Sequence, residues 1–313
     1  MNDILHALLF VLIAGAAFLT LILLERAYWV RHQRPEAYET REVGTNIIMG
    51  FVYKMVDGAV VAVFVTQFYD DVMRLGLQYT PSNRWLGWAL LVVATDFIFY
   101  WLHWLMHKTR YAWCSHVTHH SSLRYNLSTA LRQNFLFDLS GLALLWWLPL
   151  ALIGFDKTSV VVAIEVNLFF QFFLHTEVVG RLPRWYEAVF NTPSHHRVHH
   201  GSHVQQHDTN FGGMFILWDR LFGTFVDERD AGTIAYGITH RQPTTLNPLR
   251  LNLDEWWAMW RDVWQRKDAR VLWKHPDWVE DQRERGASSS HPMGTRSTHA
   301  IHRPTHRTRS PEL

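Results

Sequence analysis

Seventeen consecutive residues, LLFVLIAGAAFLTLILL (8–24), carry no charge. At about 1.5 Å per helical residue, they approach the roughly 30 Å hydrocarbon core of a bilayer. Inside hydrocarbon every backbone N–H and C=O must bond within the chain, so only helices and closed barrels cross it. No basic segment precedes the run and no small-residue cleavage site follows it, so it reads as a span rather than a signal peptide. Glu25, Arg26, Tyr28 and Trp29 come next, the residues of an interfacial anchor.

Four more apolar runs cover 46–69, 85–104, 136–155 and 159–174. Lys54 and Asp57 stand three apart in the second run and so share a helix face. The third run contains Asp96, and the fifth contains Glu165 and Asn167. Charges inside spans are expected to turn into the bundle, so Asp57, Asp96 and Glu165 read as internal pairing partners. The fold expected is an all-α, multi-span membrane helix bundle of four to five spans, with a cytosolic helical cap.

Basic residues orient the bundle. The 25–45 loop has Arg26, Arg31, Arg34 and Arg41, and the 105–135 segment has Lys108, Arg110, Arg124 and Arg132. The 70–84 loop has only Arg74 and Arg84, and the 156–158 connection only Lys157. The positive-inside rule therefore places 25–45, 105–135 and everything after 175 in the cytosol. Residues 136–174 then form a membrane hairpin that leaves and returns on one side. The expected organisation is N-terminal spans (1–104), a histidine-rich region with the hairpin (105–250), an amphipathic helix (251–282) and a disordered tail (283–313). LDEWWAMWRDVWQ (253–265) has aromatic residues at helical spacing, suited to a membrane surface or to the catalytic region. The tail is rich in Arg, Ser, Thr, His and Pro; its His291, His299, His302 and His306 are irregularly spaced and are not counted as ligands.

There are 20 histidines but only one cysteine, Cys114, which rules out an internal disulfide framework and cysteine-based zinc sites. The net charge of +2 argues against a nucleic-acid partner. His103 and His107 stand at i and i+4. His116, His119 and His120 form H-x-x-H-H, and His196, His199 and His200 repeat it. His175 stands alone at the end of the fifth run. The hairpin brings the clusters before and after it to one membrane face. These nine imidazoles exceed what one ion needs; two six-coordinate ions with four or five ligands each would use them. Imidazole does not choose among Fe, Zn, Cu and Ni. HWLMH lacks the glutamate of H-E-x-x-H, against a zinc protease. A structural zinc closes with four ligands, and a transporter site would lie near the bilayer midplane. An oxygen-activating di-iron site at the membrane surface remains, with no catalytic side chain needed beyond the ligands.

From about Asp96 to Phe225 the chain resembles the membrane fatty acid hydroxylase/sterol desaturase superfamily. HVTHHSSLRYNLSTALRQ, FFLHTEV, NTPSHHRVHHG and FGGMFILWDRLFGTF carry the likeness, which is strongest to the branch that cleaves ether lipids. The resemblance implies two iron ions (zinc can replace them during purification), O2, an external electron donor and a membrane lipid substrate. For the ether-lipid branch it implies hydroxylation of the carbon next to the ether oxygen of an alkylglycerol-type lipid. The hemiacetal then collapses to a fatty aldehyde and glycerol, with tetrahydrobiopterin as reductant. Lys108 stands where that branch has an acidic residue, which leaves the reductant open. Alternatives are a sterol or fatty-acyl hydroxylase or desaturase and, from another class, a zinc-dependent membrane hydrolase. The expected location is a bacterial inner membrane or endoplasmic reticulum, with the metals on the cytosolic side.

Other residues in these strings have supporting readings. His195 is a tenth ligand or a donor behind the ligands. Asn126 bonds a metal-bound water or caps a helix. Glu177, Asp208 and Asn210 are placed to orient ligand imidazoles. Asp219 and Arg220 read as a structural pair, and His203, His207 and His240 as lying outside the metal site. Arg132, Arg197 and Asn210 are candidates for a lipid head group. The tail of such a lipid calls for an apolar path from the bilayer, with some of Phe169, Phe170, Phe172 and Phe173 on its wall.

Overall fold

The computed structural model describes residues 2–289. α1 (Asn2–Arg31) leads through a 3-10 turn (Pro35–Ala37) into α2 (Thr40–Gln67). Glu39 caps α2 by accepting from the amides of Arg41 and Glu42, a contribution of about 1 kcal/mol. α3 (Tyr69–Leu75) is short, and α4 (Arg84–Lys108) begins at Asn83, whose side chain accepts from Trp85 and Leu86. Stretches of α1, α2 and α4 are long and apolar enough to cross a membrane. Their outer faces expose apolar side chains such as Leu23, Phe51, Met55 and Leu86.

The expected fourth span is broken. α5 (Arg110–Trp113), α6 (Val117–His120) and a 3-10 turn (Leu127–Leu131) precede α7 (Leu136–Leu139). Gly141, at φ +82°, then redirects the chain into α8 (Leu144–Ile153). The stretch Leu127–Leu139 and α8 are bent by 73°, so three helices, or up to four with this pair as one span, have the character of membrane spans. α9 (Lys157–Phe172), capped by Asp156, has 16 residues, or about 24 Å of helix. The tip of the α8–α9 hairpin packs on α3 and the loop after it. The Tyr69 hydroxyl donates to the Phe155 carbonyl at 2.7 Å, and the Leu77 amide to the Leu152 carbonyl at 2.7 Å. That loop enters α4 at its start, so the tip lies one helix length away from Lys108.

Phe64, Leu91, Phe99, Leu102, Trp146, Trp147 and Leu150 belong to one buried cluster joining α2, α4, α8 and α9. In a bilayer such packing stabilises through close van der Waals contact rather than release of water. A second cluster, with Ile22, Trp29, Tyr38, Leu127 and Phe172, fixes α1 to the end of α9. The charges within the spans are paired. Lys54 Nζ lies 3.0 Å from Asp57 and 2.7 Å from Glu165, but Lys54 and Glu165 remain 42% and 40% exposed, at the surface of the bundle rather than inside it. Asp96 is fully buried and accepts from Asn167, the Met214 and Phe215 amides and the Trp218 indole.

α10 (Arg184–Glu187), α11 (Pro193–His199), α12 (Leu217–Phe222) and α13 (Pro248–Arg266) follow the hairpin. Among the described residues there is no strand; two isolated antiparallel bridges, Phe190 to Phe215 and Gly201 to Tyr236, tie the loops. α13 buries Leu251, Met259 and Asp262 and exposes Trp257, Trp260 and Trp264 on the other side. It thus packs on the protein with one face and leaves a tryptophan stripe free. The described residues up to Pro276 form one compact unit, and those from Asp277 onward belong to another. In the second, α14 (Trp278–Ser289) runs past residue 283, where a disordered tail was expected to begin. The rest of that tail, with its four histidines, lies outside the described residues.

Candidate metal centre

His103 and His107 occupy the last two turns of α4. Thr109 is extended, and the chain turns back into α5 and α6. The turn is fixed by Arg110, 1% exposed, whose guanidinium reaches Glu255 at 3.0 Å and Asp262 at 2.7 Å on α13. The Thr118 hydroxyl donates to the Leu251 carbonyl and holds α6 under the same helix. His175 follows α9 by three residues. α11 starts with Pro193 at its first position after an extended Thr192, the arrangement a helix start favours.

All nine histidines are buried, and they fall into two groups. One consists of His103, His107, His116, His120 and His199; the other of His119, His175, His196 and His200. Within each group the ring nitrogens that could bind metal lie within 4.8 Å of one another. His116 Nε2 is 2.9 Å from His103 Nε2 and 3.1 Å from His120 Nε2. His175 Nε2 is 3.1 Å from both His119 Nε2 and His196 Nε2. Two nitrogens each about 2.1 Å from one ion and at right angles would be about 3.0 Å apart. The ring of His120 stacks on that of His200 with centroids 4.3 Å apart, so the groups adjoin.

Backbone carbonyls set the tautomers. His103 Nδ1 lies 2.8 Å from the Phe211 carbonyl, His175 Nδ1 2.9 Å from that of Gln171, and His199 Nδ1 2.7 Å from that of Thr209. A carbonyl only accepts, so each Nδ1 carries the proton and each Nε2 keeps its lone pair for the interior. Burial, reinforced by neighbouring imidazoles, holds His116, His119, His120, His196, His199 and His200 well below the ordinary histidine range. Burial lowers His175 to about 4. Neutral imidazole is the form that binds metal.

The donor set fits a pair of metal ions. Nε2 of His107, His199 and His200 is buried with no hydrogen-bond partner among the described residues, a costly state for a polar atom. His116 Nε2 faces two other Nε2 atoms, and one proton cannot satisfy three nitrogens. Ions at the two foci would satisfy all of these at once. Among the described residues neither group includes a carboxylate.

Residues 88–224 match the model of the fatty acid hydroxylase family. The chain belongs to the fatty acid hydroxylase family. Among its relatives, alkylglycerol monooxygenase of Homo sapiens is 33% identical over 284 residues, covering 89% of this chain and 62% of the relative. Alkylglycerol monooxygenase of Xenopus tropicalis is 36% identical over 238 residues, covering 75% of this chain and 52% of the relative. Ornithine lipid hydroxylase OlsE of Rhizobium tropici is 30% identical over 151 residues, covering 48% and 45%. The chain thus spans between half and two thirds of the length of the two monooxygenases. No solved structure matches it.

Other residues that the sequence offered to this fatty acid hydroxylase site take different places. His195 belongs to neither group; its ring lines a separate cavity. Asn126 caps the 3-10 turn and donates to the Ala37 carbonyl. Glu177 accepts from the Tyr236 hydroxyl and pairs with Arg34 at 3.5 Å rather than with a histidine of either group. Asp208 stands 3.9 Å from His107 Nδ1 and is held by Lys108 at 2.5 Å and His275 at 3.2 Å. Burial would raise its carboxyl, but hydrogen bonds from His275 and Lys108 outweigh that and hold it low. Asn210, at φ +55°, is bonded to the His195 carbonyl and to both backbone groups of Val226.

Arg132 is 2% exposed and bonds Thr118, Ser121 and Asn46; Arg197 chelates Glu228 and donates to the Thr176 and Val179 carbonyls. Both guanidinium groups lock the fold, so neither is presented to a lipid head group. Asp219 bonds the Phe211 and Gly212 amides and Thr224 rather than Arg220. Phe169 and Phe173 face outward, Phe172 is buried, and Phe170 packs against Phe190 with the rings tilted by 38°. Sequence reasoning missed the carbonyls of Phe211, Thr209 and Gln171, which no side-chain pattern reports. It also missed Trp113, against His107 and His120, and Tyr125, against His175 and His200. Their one signal was proximity to the histidine boxes.

Proposed function

We propose that this chain is an O2-dependent lipid monooxygenase with two iron ions, one in each histidine group, acting on the ether bond of an alkylglycerol-type lipid. The observation that carries this reading is the pair of adjoining all-imidazole groups at one end of the membrane helices. Iron bound there would supply O2 activation, with electrons from an external donor. The chain's own part is to hold the ligands and to keep water out. Nine buried imidazoles leave no carboxylate base among the ligands, which favours an oxygenase over a zinc hydrolase. Insertion of one oxygen atom into the C–H bond beside the ether oxygen gives a hemiacetal and, with two electrons and two protons, water. The hemiacetal releases a fatty aldehyde and glycerol.

The names of the two alkylglycerol monooxygenases support this substrate. Likeness to the ornithine lipid hydroxylase supports a second reading, hydroxylation of a lipid without cleavage. The basic loops around 25–45 and 105–135 support a cytosolic side for the metal centre. The donor is tetrahydrobiopterin or another two-electron reductant, and the Lys108–Asp208 pair beside His107 is where the two would be told apart. The test is oxygen consumption by the purified, iron-loaded protein in detergent. The expected result is uptake that requires both 1-O-alkylglycerol and a reductant, with aldehyde formed in equal amount. Lipid hydroxylated without aldehyde would select the second reading, and no lipid-dependent uptake would refute both.

A further inference from the structure

A cavity of about 340 Å³ lies among α10, α11 and α12, lined by residues that belong to neither histidine group. Three guanidinium groups, those of Arg184, Arg220 and Arg229, face two carboxylates, those of Glu187 and Asp227. Asp227 is matched within the wall: Arg229 holds it through two hydrogen bonds of 2.9 and 2.5 Å. Glu187 is also engaged, accepting from the Leu182 amide and from the hydroxyls of Thr192 and Ser194. Arg184 has no ion-pair partner among the described residues. Arg220 donates to the Glu187 carbonyl at 3.2 Å and lies 3.8 Å over the Phe225 ring, with no carboxylate of its own among the described residues. His195 completes the wall. It is 1% exposed, and its Nδ1 has no hydrogen-bond partner among the described residues.

We infer that this cavity is a binding site for an anion of the phosphate type. Two unmatched guanidinium groups and a buried imidazole converge on a space large enough for a tetrahedral oxyanion. Such an anion accepts several charge-assisted hydrogen bonds at once, which is how arginine recognises phosphate. The surroundings indicate how the phosphate is carried. Trp185, next to Arg184, is 74% exposed, and Leu217 and Leu221, flanking Arg220, are 42% and 68% exposed. Phe97 of α4 packs against Trp218 and Phe222, so this apolar rim continues the surface of a membrane helix. A phosphate borne on a lipid has its chains where that rim lies; free phosphate would use the same donors without it. The site does not depend on the metal reading, because none of its residues belongs to the two histidine groups.

The test is native mass spectrometry of the delipidated full chain, titrated with phosphatidic acid, diacylglycerol or inorganic phosphate. Wild type is compared with Arg184→Gln/Arg220→Gln, with Arg184→Gln alone as a milder variant and Arg250→Gln as the control. Both target arginines are exposed, and an unchanged thermal unfolding midpoint in detergent reports that the fold is intact. The expected result is that phosphatidic acid binds, diacylglycerol does not, and the double variant weakens phosphatidic acid roughly tenfold or more. Arg184→Gln alone should give part of that loss, and Arg250→Gln none. Competition by inorganic phosphate at similar concentration would identify a free anion as the occupant; its failure to compete would identify the lipid. Equal binding of phosphatidic acid and diacylglycerol, or wild-type affinity in the double variant, would overturn the site.

Discussion

His119 and His199 change places. Each is the middle histidine of an H-x-x-H-H box, and each sits in the group that the other box builds. His116 and His120 belong to the group of His199, while His196 and His200 belong to the group of His119. Helical geometry accounts for it: residues four apart lie about 40° apart around the axis, and adjacent residues about 100°. The outer pair of each box therefore shares one direction, and the middle histidine points toward the other focus.

Substituting either exchanged histidine should disturb the metal group of the opposite box. His199→Ala is expected to lower iron bound beside His116 and His120 and to cut turnover by at least about 100-fold, with the protein still inserted in the membrane. His116→Ala should do the same. Iron content by elemental analysis and lipid-dependent oxygen uptake check it. Full activity in either variant would remove the group from the chemistry.

Acid should destabilise the metal-free protein in a defined window. The unfolded histidines have the ordinary value of 6.5, whereas burial places His175 near 4 and the other extramembrane group members well below 6.5. For a basic group with a depressed folded value, the unfolded chain takes up protons first. Stability is therefore complete above about pH 6.5 and falls as pH drops toward 4. Thermal unfolding of chelated protein in detergent across this range should show the loss. A flat profile would mean that the imidazoles are not buried in solution.

How much of this was legible beforehand follows from the range of each signal. The i, i+4 pair of α4 and the spacing of the boxes are local, and helical periodicity reads them directly. That the histidines after 174 rejoin those before the hairpin was expected from the distribution of arginine and lysine. The break at Gly141 was invisible, because LFDLSGLALLWWLPLALIGF is apolar apart from Asp138 and Ser140 and hydropathy does not register a change of direction. Arg132 and Arg197 looked available for a head group because nothing in the sequence tells that Thr118, Ser121 and Glu228 surround them. The carbonyls behind His103, His175 and His199 left no trace at all, since every residue has one.

Asp219 is expected to support the site from behind. Its carboxylate takes the amides of Phe211 and Gly212, and the Phe211 carbonyl in turn orients His103. Asp219→Ala leaves two buried amides unsatisfied and should cost about 2–4 kcal/mol of stability. Iron retention should fall with it. Denaturation and iron titration of the variant check both; wild-type affinity would show that Phe211 stays in place without its anchor.

Gly154 closes the hairpin tip at φ +112°, where a Cβ would stand 2.4 Å from the Tyr79 nitrogen. Gly154→Ala should therefore destabilise by about 1–3 kcal/mol and loosen the α8–α9 tip. Hydrogen exchange at the amides of Leu77 and Tyr79, which bond the end of α8, should quicken. Unchanged protection there would show that the tip does not depend on the left-handed turn.

The division of the histidines also sets an order of arrival during synthesis. By the time the chain has been made as far as His120, four of the five members of the first group exist, yet only His119 of the second does. The hairpin must then be inserted and returned before His175, His196, His199 and His200 can join. A ribosome thus delivers one nearly complete basket of ligands early and the other almost whole at the end, and His199, among the last to emerge, closes the early one.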